Sequence, residues 1–159
     1  MDVGIIRADG RSAPFFAAAA RDVLLIKRCA ACGHWLDPQA TTCTGCGTDD
    51  PPWAAACGRG TLVSWAMARP RQAAPGAEAA VLALVELDEG PWLHSRLDAA
   101  DGAQGADGPD SADGAGLRAG LRLTVHFEHP GEGESYPVFR AEGANPDGLA
   151  ASDASASSS

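Results

Sequence analysis

Two Cys-x2-Cys pairs, Cys29/Cys32 and Cys43/Cys46, lie ten residues apart and constrain this 159-residue chain more than any other feature. Each pair is followed at once by glycine, Gly33 and Gly47. In such a knuckle two sulfurs converge on one ion, and the glycine lets the backbone turn tightly enough for N–H groups to point at the thiolates. Two knuckles complete a tetrahedral four-sulfur site, which suits Zn(II) or a single iron; zinc is the expected occupant. Four thiolates leave no position open for water, so the metal is structural rather than catalytic. The segment from Cys29 to Cys46 is too poor in apolar residues to build its own core, and metal binding would supply its folding free energy. His34 sits inside the first knuckle, but four cysteines already satisfy the ion.

The rest of the chain reads as one helix followed by strands. Met1 to Arg11 is a flexible start. Ser12 to about Lys27 reads as a helix, with Ser12 as N-cap and Pro14 in the first turn, where its missing N–H does no harm. Phe15, Phe16, Ala19, Val23 and Ile26 make its apolar stripe. The unit 12–57 thus joins a helix to the cysteine knuckles. From Gly58 to residue 144 the pattern is β. Strands are expected at Thr61–Ala68, Ala79–Leu87, Pro91–Leu97, Leu121–Glu128 and Tyr136–Phe139, with Asp88-Glu89-Gly90 as a hairpin turn. Leu121, Leu123, Val125 and Phe127 alternate with polar residues, so one face of that strand is buried. Five strands with no helix between the early ones predict a small closed barrel. Residues 98–116 hold five aspartates and no basic residue, and read as a solvated, disordered insertion. Residues 145–159 read as a disordered tail.

Charge narrows the function. Twelve basic residues face 21 acidic ones, for a net charge of −9, and Lys27 is the single lysine. Nucleic-acid binding needs a positive field that this composition does not supply. No apolar run approaches the ~20 residues of a membrane helix. The first residues lack the basic and apolar pattern of a secretory signal. A cytoplasmic location is the resulting expectation, and a reducing compartment agrees with paired metal-binding cysteines better than with disulfides.

Few residues suggest chemistry beyond the metal. Arg59, Arg69 and Arg71 bracket the first long strand, with Trp65 between them. Guanidinium groups grip phosphates through paired hydrogen bonds, so this strand is a candidate face for a nucleotide-like ligand such as coenzyme A. Cys57 would need a neighbouring histidine to act as a nucleophile, and no such pair is legible. His94 and His126 fall at strand positions on the polar face, and His129 belongs to no legible constellation. Asp88 and Glu89 read as turn formers.

The order of motifs resembles a known family. A helix with PFF is followed by RCAACGHWLDP, CTGCG, CGRGTLVSW, VLALVELDEGPWL, GLRLTVHFE and YPVFR. This series is similar to the DUF35 proteins, over about Ala13 to Arg140 apart from the acidic insertion. The resemblance implies a rubredoxin-like zinc ribbon followed by a five-stranded OB-fold, with Cys29, Cys32, Cys43 and Cys46 as metal ligands. It places Phe15 and Phe16 on the helix beside the ribbon, as candidates for docking a partner, and Gly58, Gly60 and Gly90 at turns. It implies an accessory subunit, without turnover of its own, that forms a hetero-oligomer with a thiolase-fold enzyme and helps position an acyl-CoA thioester. The stretch QAAPGAEAAVLAL lacks the Pro-Tyr pair often found there in the family. Two other functions remain open from the residues alone: a single-stranded nucleic-acid binder, disfavoured by charge, and an independent thioesterase using Cys57 or a histidine.

Overall fold

The computed structural model describes residues 6–68, 80–98 and 117–142. The acidic insertion beyond Asp98, the tail from Asn145, and Arg69 and Arg71 lie outside the described residues. The first element is a short helix, α1 (Ala13–Ala19). Ser12 makes no capping bond. Asp9 does that work instead. Its Oδ1 accepts from the Ser12 N–H at 2.7 Å, the Ser12 hydroxyl at 2.7 Å and the Arg11 N–H at 3.1 Å. The Ser12 hydroxyl bond is the main reason the Asp9 carboxyl titrates below its ordinary range.

The expected helix to Lys27 is corrected by the structure. Asp22 adopts φ 60°, a left-handed conformation that ends the helical turn. The Val23 N–H returns to the Ala18 carbonyl at 3.0 Å, and the chain leaves as a strand. That strand is β1 (Leu25–Arg28). The run Val23 to Ile26, which leads into β1, fits a helical stripe only because an apolar run fits either period. Asp22 is held from across the fold: His129 contacts its Oδ1 at 2.9 Å and the Ser135 hydroxyl at 2.9 Å.

Strand β1 is the centre of a three-stranded sheet with β2 (Trp35–Leu36) and β3 (Trp53–Ala55), both antiparallel to it. Then come β4 (Arg59–Ala68), β5 (Ala80–Leu87), β6 (Trp92–Asp98), β7 (Arg122–Glu128) and β8 (Tyr136–Ala141). These five close into a barrel in the order β4-β5-β6-β8-β7, as the sequence predicts. Only β6 and β8 pair in parallel; the other neighbours are antiparallel. A register shift between Leu62 and Ser64 marks a bulge in β4. It bends the strand so that its first residues, Arg59–Thr61, also pair with β7 and close the barrel.

One core joins the sheet to the barrel. Leu62, Val85, Leu87, Leu123 and Phe139 fill the barrel, and Leu24 and Ile26 enter the same cluster from the β1 segment. Ile26 is fully buried. Helix α1 lays Ala18 and Ala19, both buried, over the outside. The tip of the β5–β6 hairpin is anchored to β7, because Arg122 grips Asp88 with two hydrogen bonds of 2.8 and 2.9 Å.

Gly60 marks where backbones come too close for a side chain, and Gly10 does not. A Cβ on Gly60 would sit 2.6 Å from the Glu86 carbonyl oxygen and 2.6 Å from Val85 Cγ1. A Cβ on Gly10 would meet nothing within 4 Å. Gly60→Ala is therefore expected to destabilise the chain by about 1–3 kcal/mol in denaturant titration, as overpacking does, while Gly10→Ala leaves it within about 0.5 kcal/mol. The Arg122 hydrogen bonds lower the Asp88 pKa from its ordinary 3.8. A depressed carboxylate stabilises above its unfolded pKa and loses that contribution as pH falls through the folded value. Both side chains are well exposed, so Arg122→Met is expected to lower stability only slightly at pH 7. That difference from wild type should close below pH 3.8.

Candidate metal centre

The two knuckles are built alike. In the first, the Cys29 N–H donates to the His34 carbonyl at 2.8 Å and the Gly33 N–H to the Cys29 carbonyl at 2.9 Å. In the second, the Cys43 N–H donates to the Thr48 carbonyl at 2.8 Å and the Gly47 N–H to the Cys43 carbonyl at 2.9 Å. Gly33 and Gly47 have φ of 75° and 78°, a region open to glycine at no steric cost. The four sulfurs lie within 4.8 Å of one another. Cys29 and Cys46, and Cys32 and Cys43, approach to 3.5 Å. A tetrahedron with metal–sulfur bonds of ~2.3 Å needs sulfurs about 3.8 Å apart, so the donor set fits one ion. Cys29 and Cys43 are buried, while Cys32 and Cys46 face outward.

Hydrogen bonds and neighbouring sulfurs shift three of the four thiols, two down and one up. The Cys32 N–H, helped by that of Ala31, pulls Cys29 down to about 6 against the opposing effect of burial. The Thr48 hydroxyl, 3.1 Å from Cys46 Sγ, lowers Cys46. Cys32 goes the other way. The His34 N–H draws it down, but the Cys43 thiol, burial and the other two sulfurs outweigh that and push it up to about 12. Without a cation the cluster resists losing its last protons; a metal ion removes that resistance.

Two cationic side chains brace the centre, and the sequence reading missed both. Lys27 lies over the Trp53 ring, 4.9 Å from its centroid, and donates to the Ala40 carbonyl at 2.9 Å. Arg28 lies over Trp35 at 4.9 Å, and its Nε donates to the Gly33 carbonyl at 3.2 Å. Each ties a knuckle or its connecting loop back to β1. The signal was the basic pair just before Cys29, but only the sheet pairing shows which tryptophans meet it.

The other candidates scatter. Arg59 opens β4, 3.7 Å from Glu142. Trp65 is near the far end of β4 and packs against the barrel core. The structure does not bring the two together. Phe15 and Phe16 touch edge to face at 5.3 Å. Both line a groove of about 1340 Å³ between α1, the knuckles and β6, beside Trp53, Trp92 and His94. Cys57 is exposed. Its N–H donates to Glu89 at 2.7 Å, and burial, then the Glu89 and Asp88 carboxylates, push its thiol up. That opposes a nucleophilic role. Asp98, His126 and Glu128 offer a second group of potential ligands. There Arg140 Nε donates to His126 Nδ1 at 3.0 Å, while Nε2 lies 2.8 Å from Asp98 without hydrogen-bonding geometry. With its lone pair turned to Arg140, the ring serves a hydrogen-bonded network.

Comparison with known proteins agrees with this geometry. A family model for the ChsH2 rubredoxin-like zinc ribbon domain matches residues 16–52, and one for the ChsH2 C-terminal OB-fold domain matches residues 53–128. A solved chain of an Ltp2–ChsH2 (DUF35) aldolase shares 28% identity, covering 84% of this chain and 96% of that one, with a TM-score of 0.65. The chain belongs to the DUF35 family. A second DUF35 protein, of unknown function, from Sulfolobus solfataricus, shares 11% identity over 85% of each chain, with a TM-score of 0.48. No curated protein matches the sequence. The second of these ChsH2 models begins at Trp53, inside the ribbon sheet, where β3 pairs with β1 before the chain enters the barrel. Among the described residues, no helix is long and apolar enough to cross a membrane.

The centre makes a direct prediction. The purified chain should carry one metal equivalent, and Cys43→Ser should lose it. With it should go the tryptophan signal of Trp35 and Trp53, which the ribbon holds over Arg28 and Lys27. Because protons compete for the sulfurs, metal affinity should fall as pH is lowered. Elemental analysis and a chelator titration at several pH values check this.

Proposed function

We propose that this chain is a non-catalytic accessory subunit of a thiolase-fold enzyme acting on acyl-CoA thioesters. One observation carries the reading. The matched ChsH2 (DUF35) chain belongs to a two-protein aldolase, and the likeness runs over both modules, in the same order, across 96% of that chain. The chemistry of this chain supports it. A four-sulfur centre has no vacant coordination position for a substrate, and desolvation with the Glu89 and Asp88 carboxylates pushes the Cys57 thiol up. The nucleophile and the acid–base groups would then come from the partner.

In this reading Cys29, Cys32, Cys43 and Cys46 hold zinc, which keeps the ribbon folded. The chain stabilises the active assembly and helps hold the CoA thioester. For that finer role the phosphate contacts fall to Arg69 and Arg71, which follow β4 directly in sequence; Arg59 is taken up by Glu142 at the other end of the strand. Phe15 and Phe16 line the groove beside the ribbon as partner contacts.

Reconstitution tests this. The chain alone should turn over no acyl-CoA. A tagged full-length chain should co-purify with a thiolase-fold enzyme in near-equal amount, and activity should require both proteins. Turnover by this chain alone, or full activity of the enzyme without it, would sink the proposal.

A further inference from the structure

The outer face of β4, β5 and β6 breaks the rule that a solvent-facing side of an antiparallel sheet is polar. Strand β5 alternates as expected, with Val81, Ala83, Val85 and Leu87 pointing into the core. The residues between them, pointing outward, are Leu82, Leu84 and Glu86. Leu82 is 51% exposed and Trp92 on β6 is 54% exposed. Register puts these side chains in adjoining rows, with Leu82 between Ala66 and Arg96, and Glu86 opposite Trp92. Of the exposed large hydrophobics among the described residues, Leu82 and Trp92 lie on this face, while Met67 pairs with the inward-pointing Val81.

Charge says what could cover this face. The chain carries a net −9, yet the charged side chains on the outward rows of β5 and β6 are few and of mixed sign: Glu86, Arg96 and Asp98, the last two 3.9 Å apart, with His94 opposite Leu84. A polyanion finds no field here, and a basic peptide finds no acidic patch. The complement is an uncharged apolar protein surface. A second copy would bring another −9 beside the first, which opposes self-association. Small Ala66 beside Leu82 lets a partner's backbone approach, and a half-exposed tryptophan at the margin is the residue type that most often anchors an interface.

We propose that this face of the barrel, centred on Leu82 and Trp92, is the surface that seats the partner enzyme. The proposal rests on the accessory-subunit reading and gives it a location. The test compares the full-length chain with Leu82→Glu/Trp92→Glu. The probe is the thiolase-fold enzyme that co-purifies with the wild type. Affinity should fall at least tenfold, with metal content and thermal midpoint unchanged, since both side chains are half exposed. If the double variant does not fold, Leu82→Ser/Trp92→Ser should show the same loss in smaller measure. Undiminished affinity in folded variants overturns the face and leaves the accessory reading intact. Failure of the wild type to retain any thiolase-fold enzyme overturns that reading and this proposal with it. A homodimer that the substitutions dissolve assigns the face to self-association and also overturns the proposal.

Discussion

Four sulfurs within 4.8 Å of one another are the constraint on which the N-terminal half depends. Thiolates at this separation repel strongly wherever water is scarce, and thiols alone hold the knuckles together by weak contacts. The apolar cluster around the centre is slight: Leu36, with Ala40 against it, joins Cys29 and Cys43. A cation replaces a hydrophobic core here. It also fixes the start of the chain's main connection. Strand β1 runs from the barrel core at Ile26 to the first knuckle at Cys29 within three residues. Whatever holds the sulfurs therefore holds one end of a strand whose other end is buried in the barrel.

The barrel depends on close backbone approach rather than on charge. Gly60 lets β4 lie against β5 where a side chain would strike the Glu86 carbonyl. The bulge just after it turns β4, so that its first residues also pair with β7. Gly58, at φ 79°, leaves room for Val125 on β7, whose Cγ1 would be 2.5 Å from an added Cβ. Both glycines lie at the seam where the sheet closes on itself. The Arg122–Asp88 pair sits on the same seam and fastens the hairpin tip over it. Closure is what removes sheet edges, so these few residues decide between a barrel and an open sheet.

The parts legible in the sequence are those with a short, local signature. Cys-x2-Cys-Gly encodes a knuckle within five residues, and alternation over Leu121–Glu128 encodes a strand such as β7. The closed barrel followed from counting such strands. The helix boundary was not legible, because Val23 to Ile26 fit a helical stripe as well as a buried strand. The deciding feature is the left-handed Asp22, a backbone conformation with no residue-type signal as strong as glycine would give. Strands β2 and β3 are two and three residues long, too short for any period to show. The cation–π braces needed the register of the ribbon sheet. Trp65 looked like a ligand-facing aromatic, but the bulge at Val63 shifts the phase of β4, and the indole packs against the core.

The same physics bears on why a chain like this would work through a partner. Its four-cysteine site leaves no open coordination position. Its histidines at the strand ends are engaged: His126 by Arg140 and Asp98, and His129 by Asp22 and Ser135. Each of these rings joins separate elements of the fold. His126 links β7 to β6 and β8, and His129 links the loop after β7 to the end of α1. Such groups are spent on geometry. Four cysteines and these two imidazoles are thus committed to the fold. What the chain offers a partner is shape: a rigid barrel bearing an apolar face, its few charges of mixed sign, on an otherwise acidic chain.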